Sequence, residues 1–127
     1  PAGWHLPKGG NKSNEANNEL WSLVVDSING GTKPANYDSE SRPYYDGTPE
    51  GSDVSNKLRV YPNNFLYSGE FFTSFAYDRG SLGYYWSSTV LDTYNSYRLY
   101  LGSSYVYPGT DVNSKYGGKS IRCTVGS

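Results

Sequence analysis

Tyrosine is crowded into one stretch of this chain. Eight of its 14 tyrosines lie between Tyr84 and Tyr116, headed by the run Tyr84-Tyr85-Trp86-Ser87-Ser88-Thr89. A phenol ring is large and mostly apolar, but a buried hydroxyl needs a hydrogen-bond partner, so a core cannot absorb so many of them. A binding face can. Tyr supplies rigid contact area with few rotors, and the surrounding Ser, Asn, Asp and Gly supply adaptable polar contacts.

The rest of the composition narrows the class. The 127 residues suffice for a single domain over 1–127. Only 35% are hydrophobic while 17% are aromatic, so rings must do the work that Leu, Ile and Val do elsewhere. The mean hydropathy of -0.70 alone would fit disorder, but the aromatic content and the net charge of -1 argue against it. The 11 basic residues form no cluster, which argues against duplex nucleic acid as a partner. No apolar run approaches the ~18 residues of a membrane span, so no direct membrane insertion is expected. Pro1 in place of Met reads as a fragment or processed form, the C-terminal part of a longer protein.

Along the chain, Gly3 to Pro7 reads as a short strand. Ser13 or Asn14 is positioned to cap a helix, with Glu15 in its first turn. Ala16, Leu20, Leu23, Val24 and Ile28 follow helical spacing, broadened by Trp21, and Gly30-Gly31 ends the run. Thr32 to Gly51 holds three prolines and reads as a long surface loop. Ser52 caps a second helix over roughly Asp53 to Val60. Phe65, Tyr67, Phe71, Phe72 and Phe75 follow in a region of irregular strand or loop and are expected to seal the core.

From Leu82 the period changes to two. Tyr84 to Thr89 is a strand. Tyr97, Leu99 and Leu101 share one face of the next, with Arg98 and Tyr100 on the other. In Tyr105-Val106-Tyr107 the Val points inward and both tyrosines outward. Pro108-Gly109 is expected to break the run, Tyr116-Gly117-Gly118 to turn, and Lys119 to Val125 to form the last strand, paired with the first. Two helices and a small antiparallel sheet with long loops make an α+β domain.

The expected binding face is Arg98, Tyr100, Tyr105 and Tyr107, with Asp92, Tyr94, Asn95, Ser103, Asp111 and Asn113 in flanking loops. Between Tyr84 and Asn113 there is one Arg and no Lys or Glu, whereas ordinary surfaces favour Lys and Glu. Trp4, Trp21 and Trp86 are read as core. His5 alternates opposite Trp4 and Leu6 and faces solvent or a neighbouring loop. The single Cys123 is open to three readings: a buried small residue, a free thiol, or half of a bridge. Its strand setting favours burial. No catalytic constellation, metal-ligand set or cofactor motif is present. One His with one Cys makes no zinc site, and no nucleophile elbow occurs.

Five segments occur in an order that resembles a known family: Pro1-Ala2-Gly3-Trp4-His5-Leu6-Pro7, Ser55-Asn56-Lys57-Leu58-Arg59, Tyr61-Pro62-Asn63-Asn64-Phe65, Tyr85-Trp86-Ser87-Ser88-Thr89 and Ser120-Ile121-Arg122-Cys123. They are similar to the Fibrobacter succinogenes major paralogous domain, and the match covers nearly the whole chain. The resemblance implies a C-type-lectin-like fold in a bacterial secreted or surface protein that binds a protein or glycan. The family also contains variable proteins of diversity-generating retroelements, whose rewritten codons favour the residue types found between Asp92 and Asn113. The resemblance implies a disulfide from Cys123 to a Cys just before Pro1. It also divides Tyr84 from Tyr85. Alternation against an inward Trp86 turns Tyr85 outward, whereas the family pattern makes Tyr85 framework and frees Tyr84, which joins the expected face. The Glu-Pro-Asn and Trp-Asn-Asp motifs of calcium-dependent lectins are absent.

Overall fold

Pairing between distant segments, not the helices, organises this chain. The computed structural model describes residues 3–10, 17–72, 75–115 and 117–125, with only the backbone of 72, 75–77 and 125. The expected cap at Ser13 or Asn14, Glu15, Ala16, the turn at Tyr116 and the side chains of Phe72 and Phe75 lie outside what is described.

The strands are β1 (Trp4–His5), β2 (Asn36–Tyr37), β3 (Pro43–Asp46), β4 (Glu70–Phe72), β5 (Phe75–Tyr77), β6 (Gly83–Val90), β7 (Asn95–Leu101), β8 (Tyr105–Ser114) and β9 (Thr124–Val125). Five of them form one antiparallel sheet in the order β2-β3-β8-β7-β6, and β4 pairs with β5. The first and last strands pair as expected, with Trp4 opposite Val125 and His5 opposite Thr124. The disulfide partner implied before Pro1 lies outside the described residues.

Helix α1 is one turn, Glu19–Trp21, continued in wider turns over Ser22–Ile28. Asn18 caps it: its Oδ1 accepts from the Trp21 N–H at 2.8 Å. The Asn18 amide donates to the Pro108 carbonyl at 3.2 Å, tying the cap to β8. Helix α2, Ser52–Arg59, carries Asp53 in its first turn and Lys57 and Arg59 in its last, which suits the helix dipole. It buries Val54, Ser55 and Leu58, and the Ser55 hydroxyl donates to the Gly102 carbonyl at the β7–β8 turn.

Both helices cover one face of the sheet. Leu20, Trp21, Val24, Val25, Val54, Leu58 and Phe65 pack on Tyr45, Tyr85, Leu99, Leu101 and Val106. Each such aliphatic side chain contributes roughly 1.5–3 kcal/mol by leaving water. Of the expected inward set of β7, Leu99 and Leu101 belong to this cluster, and Tyr97 is buried as well.

Several expectations are corrected. Thr32 to Gly51 is not all loop: it contains β2 and β3, and Tyr45 is fully buried with its hydroxyl donating to the Thr32 carbonyl. Pro108-Gly109 does not end the strand, because β8 continues to Ser114. The pairing shifts register there instead, with Gly109 at φ 76°, where a Cβ would stand 2.7 Å from Leu20 Cβ. Only glycine meets both demands. Trp4 is 53% exposed and Cys123 is exposed, so neither is core. The expected strand over Lys119 to Val125 is broken: Ser120 bridges to Tyr85 of β6, and the last strand proper is only the two residues of β9. Phe71 is also exposed, whereas Phe65 seals the core as expected.

Candidate ligand-binding face

The opposite face of the sheet is built on a ladder of tyrosines. Register sets Tyr84 opposite Tyr100 and Tyr100 opposite Tyr107. Tyr45 opposite Val106 brings Tyr44 beside Tyr107. The rings follow that register. Tyr84 and Tyr100 stack at 4.9 Å and 16°, Tyr100 and Tyr107 at 5.7 Å and 15°, and Tyr107 and Tyr44 at 4.6 Å and 9°. These separations match the spacing of neighbouring strands, ~4.7–5.5 Å. Four strands thus contribute one ring each to a single row. Rings stacked along the row turn their faces to one another, so the row presents ring edges and hydroxyls outward. Tyr105 adds a fifth ring, edge-on to Tyr100 at 5.4 Å and 79°, with the two hydroxyls 3.2 Å apart.

A charged row lies next to the ladder. Trp86, Arg98 and Asp111 stand in register on β6, β7 and β8. The Arg98 guanidinium sits 4.4 Å from the Tyr84 ring centre and 4.6 Å from that of Tyr100. Its Nε donates to Asp111 Oδ2 at 2.5 Å, and Arg42 stands 3.9 Å from the other carboxylate oxygen. Arg98 Nη1 is buried and, among the described residues, has no hydrogen-bond partner. Burial pushes the Asp111 carboxyl up from its ordinary value, and Arg98 opposes the shift. Farther along, the Lys119 ammonium donates to Glu70 Oε1 at 2.6 Å and Asn113 Oδ1 at 3.0 Å and lies 4.6 Å from the Trp86 ring centre. Burial holds its pKa below the ordinary lysine value, with Glu70 opposing.

Three of the phenols have their pKa raised. Burial is the largest cause for Tyr84, Tyr105 and Tyr107. Tyr100 and Asp78 add to it at Tyr84, Tyr100 at Tyr105, and Asp38 and Asp111 at Tyr107. The Tyr84 hydroxyl donates to Asp78 Oδ2 at 3.0 Å. The face therefore offers neutral hydroxyls, able to donate and accept, on rings pinned by their neighbours.

The expected residues divide into three groups. Tyr84, Arg98, Tyr100, Tyr105, Tyr107 and Asp111 come together on this face. Tyr84, Arg98 and Asp111 are more deeply set than expected, at 4%, 6% and 8% exposure. Asn113 joins through Lys119. Asp111 and Asn113 belong to β8 and Asn95 to β7, not to flanking loops. Asp92, Tyr94 and Asn95 form a local turn at one end of the sheet, where Asp92 Oδ1 accepts from the N–H of Tyr94 and Asn95 at 2.9 and 2.8 Å. Ser103 is exposed in the turn between β7 and β8. Among the described residues no three His, Cys, Asp or Glu gather in a metal-binding geometry.

Trp86 is half-buried on this face, over Lys119, and is corrected from core. Its side chain therefore shares a side with Tyr84, and Tyr85 turns inward, where its hydroxyl accepts from the Leu66 N–H at 2.8 Å and donates to the Leu66 carbonyl at 3.2 Å. Tyr84, not Tyr85, stands on the outer face. Sequence reading missed Tyr44, Arg42, Glu70, Asp78 and Lys119. Tyr44-Tyr45 in a short strand was the one local signal available. His5 is half-buried, its Nε2 2.9 Å from Glu19 Oε2.

Compared with family models, curated proteins and solved structures, this chain finds no match.

Proposed function

We propose that this chain is a recognition domain, C-type-lectin-like in fold, from a bacterial secreted or surface protein. It holds a protein or glycan ligand against the hydroxyl edge of the tyrosine row. The observation that carries this reading is the stack of Tyr84, Tyr100, Tyr107 and Tyr44 across four strands. Rings already fixed by one another lose little freedom when a ligand arrives. An open feature of the face supports the same reading: a Tyr100–Tyr105 hydroxyl pair that a ligand group can enter. The Tyr, Ser, Asn and Asp content of this region also fits a surface diversified by a retroelement.

The test is a screen of the immobilised domain against a glycan array and a panel of purified bacterial and host surface proteins. Any ligand found must be lost by the combined Tyr100→Phe, Tyr105→Phe and Tyr107→Phe change and kept by Tyr61→Ala, which alters an exposed ring away from the ladder. Ligands that survive the triple change sink the reading. For diversification, the neighbouring DNA must hold a near-copy of the codons for residues 84 to 123 that differs at adenines. Even variation along sister domains removes that part alone.

A second reading is a structural adhesin or stalk module whose aromatic face packs on a neighbouring domain. The depth of Tyr84, Arg98 and Asp111 favours it. Nitration of Tyr107 in this chain and in a longer form separates the two, because packing would protect the ring only in the longer protein.

A further inference from the structure

A cavity of about 210 Å³ opens on the helix-covered side of the sheet, between α1, the segment after α2 and the C-terminal segment. Its buried lining is apolar: Leu20, Phe65 and Tyr85. Cavities near ~150 Å³ with such walls accept benzene, so this one has room for a single substituted ring.

The polar groups around it are not equivalent. Glu19 is engaged, accepting from His5 Nε2 at 2.9 and 3.0 Å and from the Lys8 N–H at 3.1 Å. The Tyr85 hydroxyl is bonded to Leu66. Arg122 is different. Its guanidinium lies 4.4 Å from the Phe65 ring centre, on the same residue that lines the cavity, and among the described residues no carboxylate pairs with it. An apolar slot beside an exposed guanidinium that no carboxylate pairs with among the described residues is complementary to a ring that carries a carboxylate, and the charge-assisted pair is the strong kind of hydrogen bond.

We propose that this cavity binds a small aromatic carboxylate, with its ring against Leu20, Phe65 and Tyr85 and its carboxylate on Arg122. An aromatic amine has less to gain, since Arg122 repels it and Glu19 is already bonded. The site is separate from the tyrosine face and does not depend on the function proposed for it.

Cys123 makes the test direct. It is the chain's one cysteine, is exposed and lines the same cavity. The probe is benzoate, with benzyl alcohol and benzylamine as controls. The measurements are the rate at which iodoacetamide alkylates Cys123 and the methyl NMR signals of Leu20 and Leu23. Benzoate at about ten times its Kd should slow alkylation about tenfold, because only the unliganded fraction reacts. Benzyl alcohol and benzylamine should act far more weakly, and Arg122→Gln should remove the advantage of benzoate. Saturable methyl shifts that disappear in Arg122→Gln support the proposal even if the thiol stays reactive. Absence of both saturable protection and methyl shifts overturns it. So does equal action by benzylamine, or an unchanged benzoate affinity in Arg122→Gln.

Discussion

Both faces of the central sheet use tyrosine, and they satisfy its hydroxyl differently. On the helix-covered face, Tyr45 and Tyr85 bond to backbone groups of Thr32 and Leu66. On the open face, Tyr84 bonds to the Asp78 side chain, and Tyr100 and Tyr105 bond to each other. A backbone partner is fixed by the fold, so releasing it means disturbing the chain. A side-chain partner can rotate away and be replaced by a ligand group. The same residue type therefore acts as a structural bond on one face and as an exchangeable contact on the other.

The largest expected effect tests how much the open face depends on its charged row. Asp111→Ala leaves the buried Arg98 without its carboxylate and should cost about 3–5 kcal/mol in urea unfolding, the usual penalty for breaking a buried pair. A loss below about 1 kcal/mol would mean that Arg98 finds water and that the row is not truly dry.

Alkaline pH loads both faces at once. Burial raises the Tyr45 pKa from 10.0 to about 12, and Tyr84, Tyr105 and Tyr107 are raised as well. A raised phenol supports the fold fully below pH 10, the unfolded value, and that support is lost as pH climbs through the folded values. Lys119 works in the opposite sense: its pKa is lowered, so the fold gains as pH rises toward its unfolded value of 10.5. Four phenols against one amine should give a net fall in the urea midpoint above about pH 10. Phenolate absorbance should show these tyrosines ionising with unfolding and not before it. A midpoint that holds or rises would contradict the assignment.

The faces can then be compared one hydroxyl at a time. Tyr85→Phe removes the partner of the Leu66 N–H and carbonyl in the interior and should cost about 1–3 kcal/mol. On the open face the combined Tyr100→Phe, Tyr105→Phe and Tyr107→Phe change keeps the rings stacked and should cost only about 1 kcal/mol by thermal or urea unfolding. Three outer hydroxyls that matter more than the one inner hydroxyl would erase the distinction drawn above. The smallest effect belongs to the exposed turn: Tyr94→Ala should stay within about 0.5 kcal/mol.

Much of the sheet was legible residue by residue. The alternation of Tyr97, Leu99 and Leu101 against Arg98 and Tyr100 holds because β7 lies mid-sheet, with helices on one side only. The same reasoning failed at Trp4 and Cys123. Alternation says that two residues share a side, not that anything covers it, and the ribbon of β1 and β9 buries neither. It failed at Trp86 for another reason. Large aromatic rings are usually buried, but here the ring leans on the Lys119 ammonium instead. Once that is seen, the parity of β6 puts Tyr84 outside and Tyr85 inside, as the family resemblance implied.

By itself, the sequence determined the period-two faces, the two helices, the pairing of first strand with last, and a tyrosine-rich surface with one arginine. All but that pairing follow from local rules: side chains alternate along a strand, and polar aromatics need partners. Only the tertiary structure decided that Tyr44 completes the row, that Arg42 and Arg98 share Asp111, and that Lys119 reaches Glu70 and Asn113. Each of those contacts joins different strands or segments of the fold. Their pairing is set by how the strands register across the sheet, which no local pattern records.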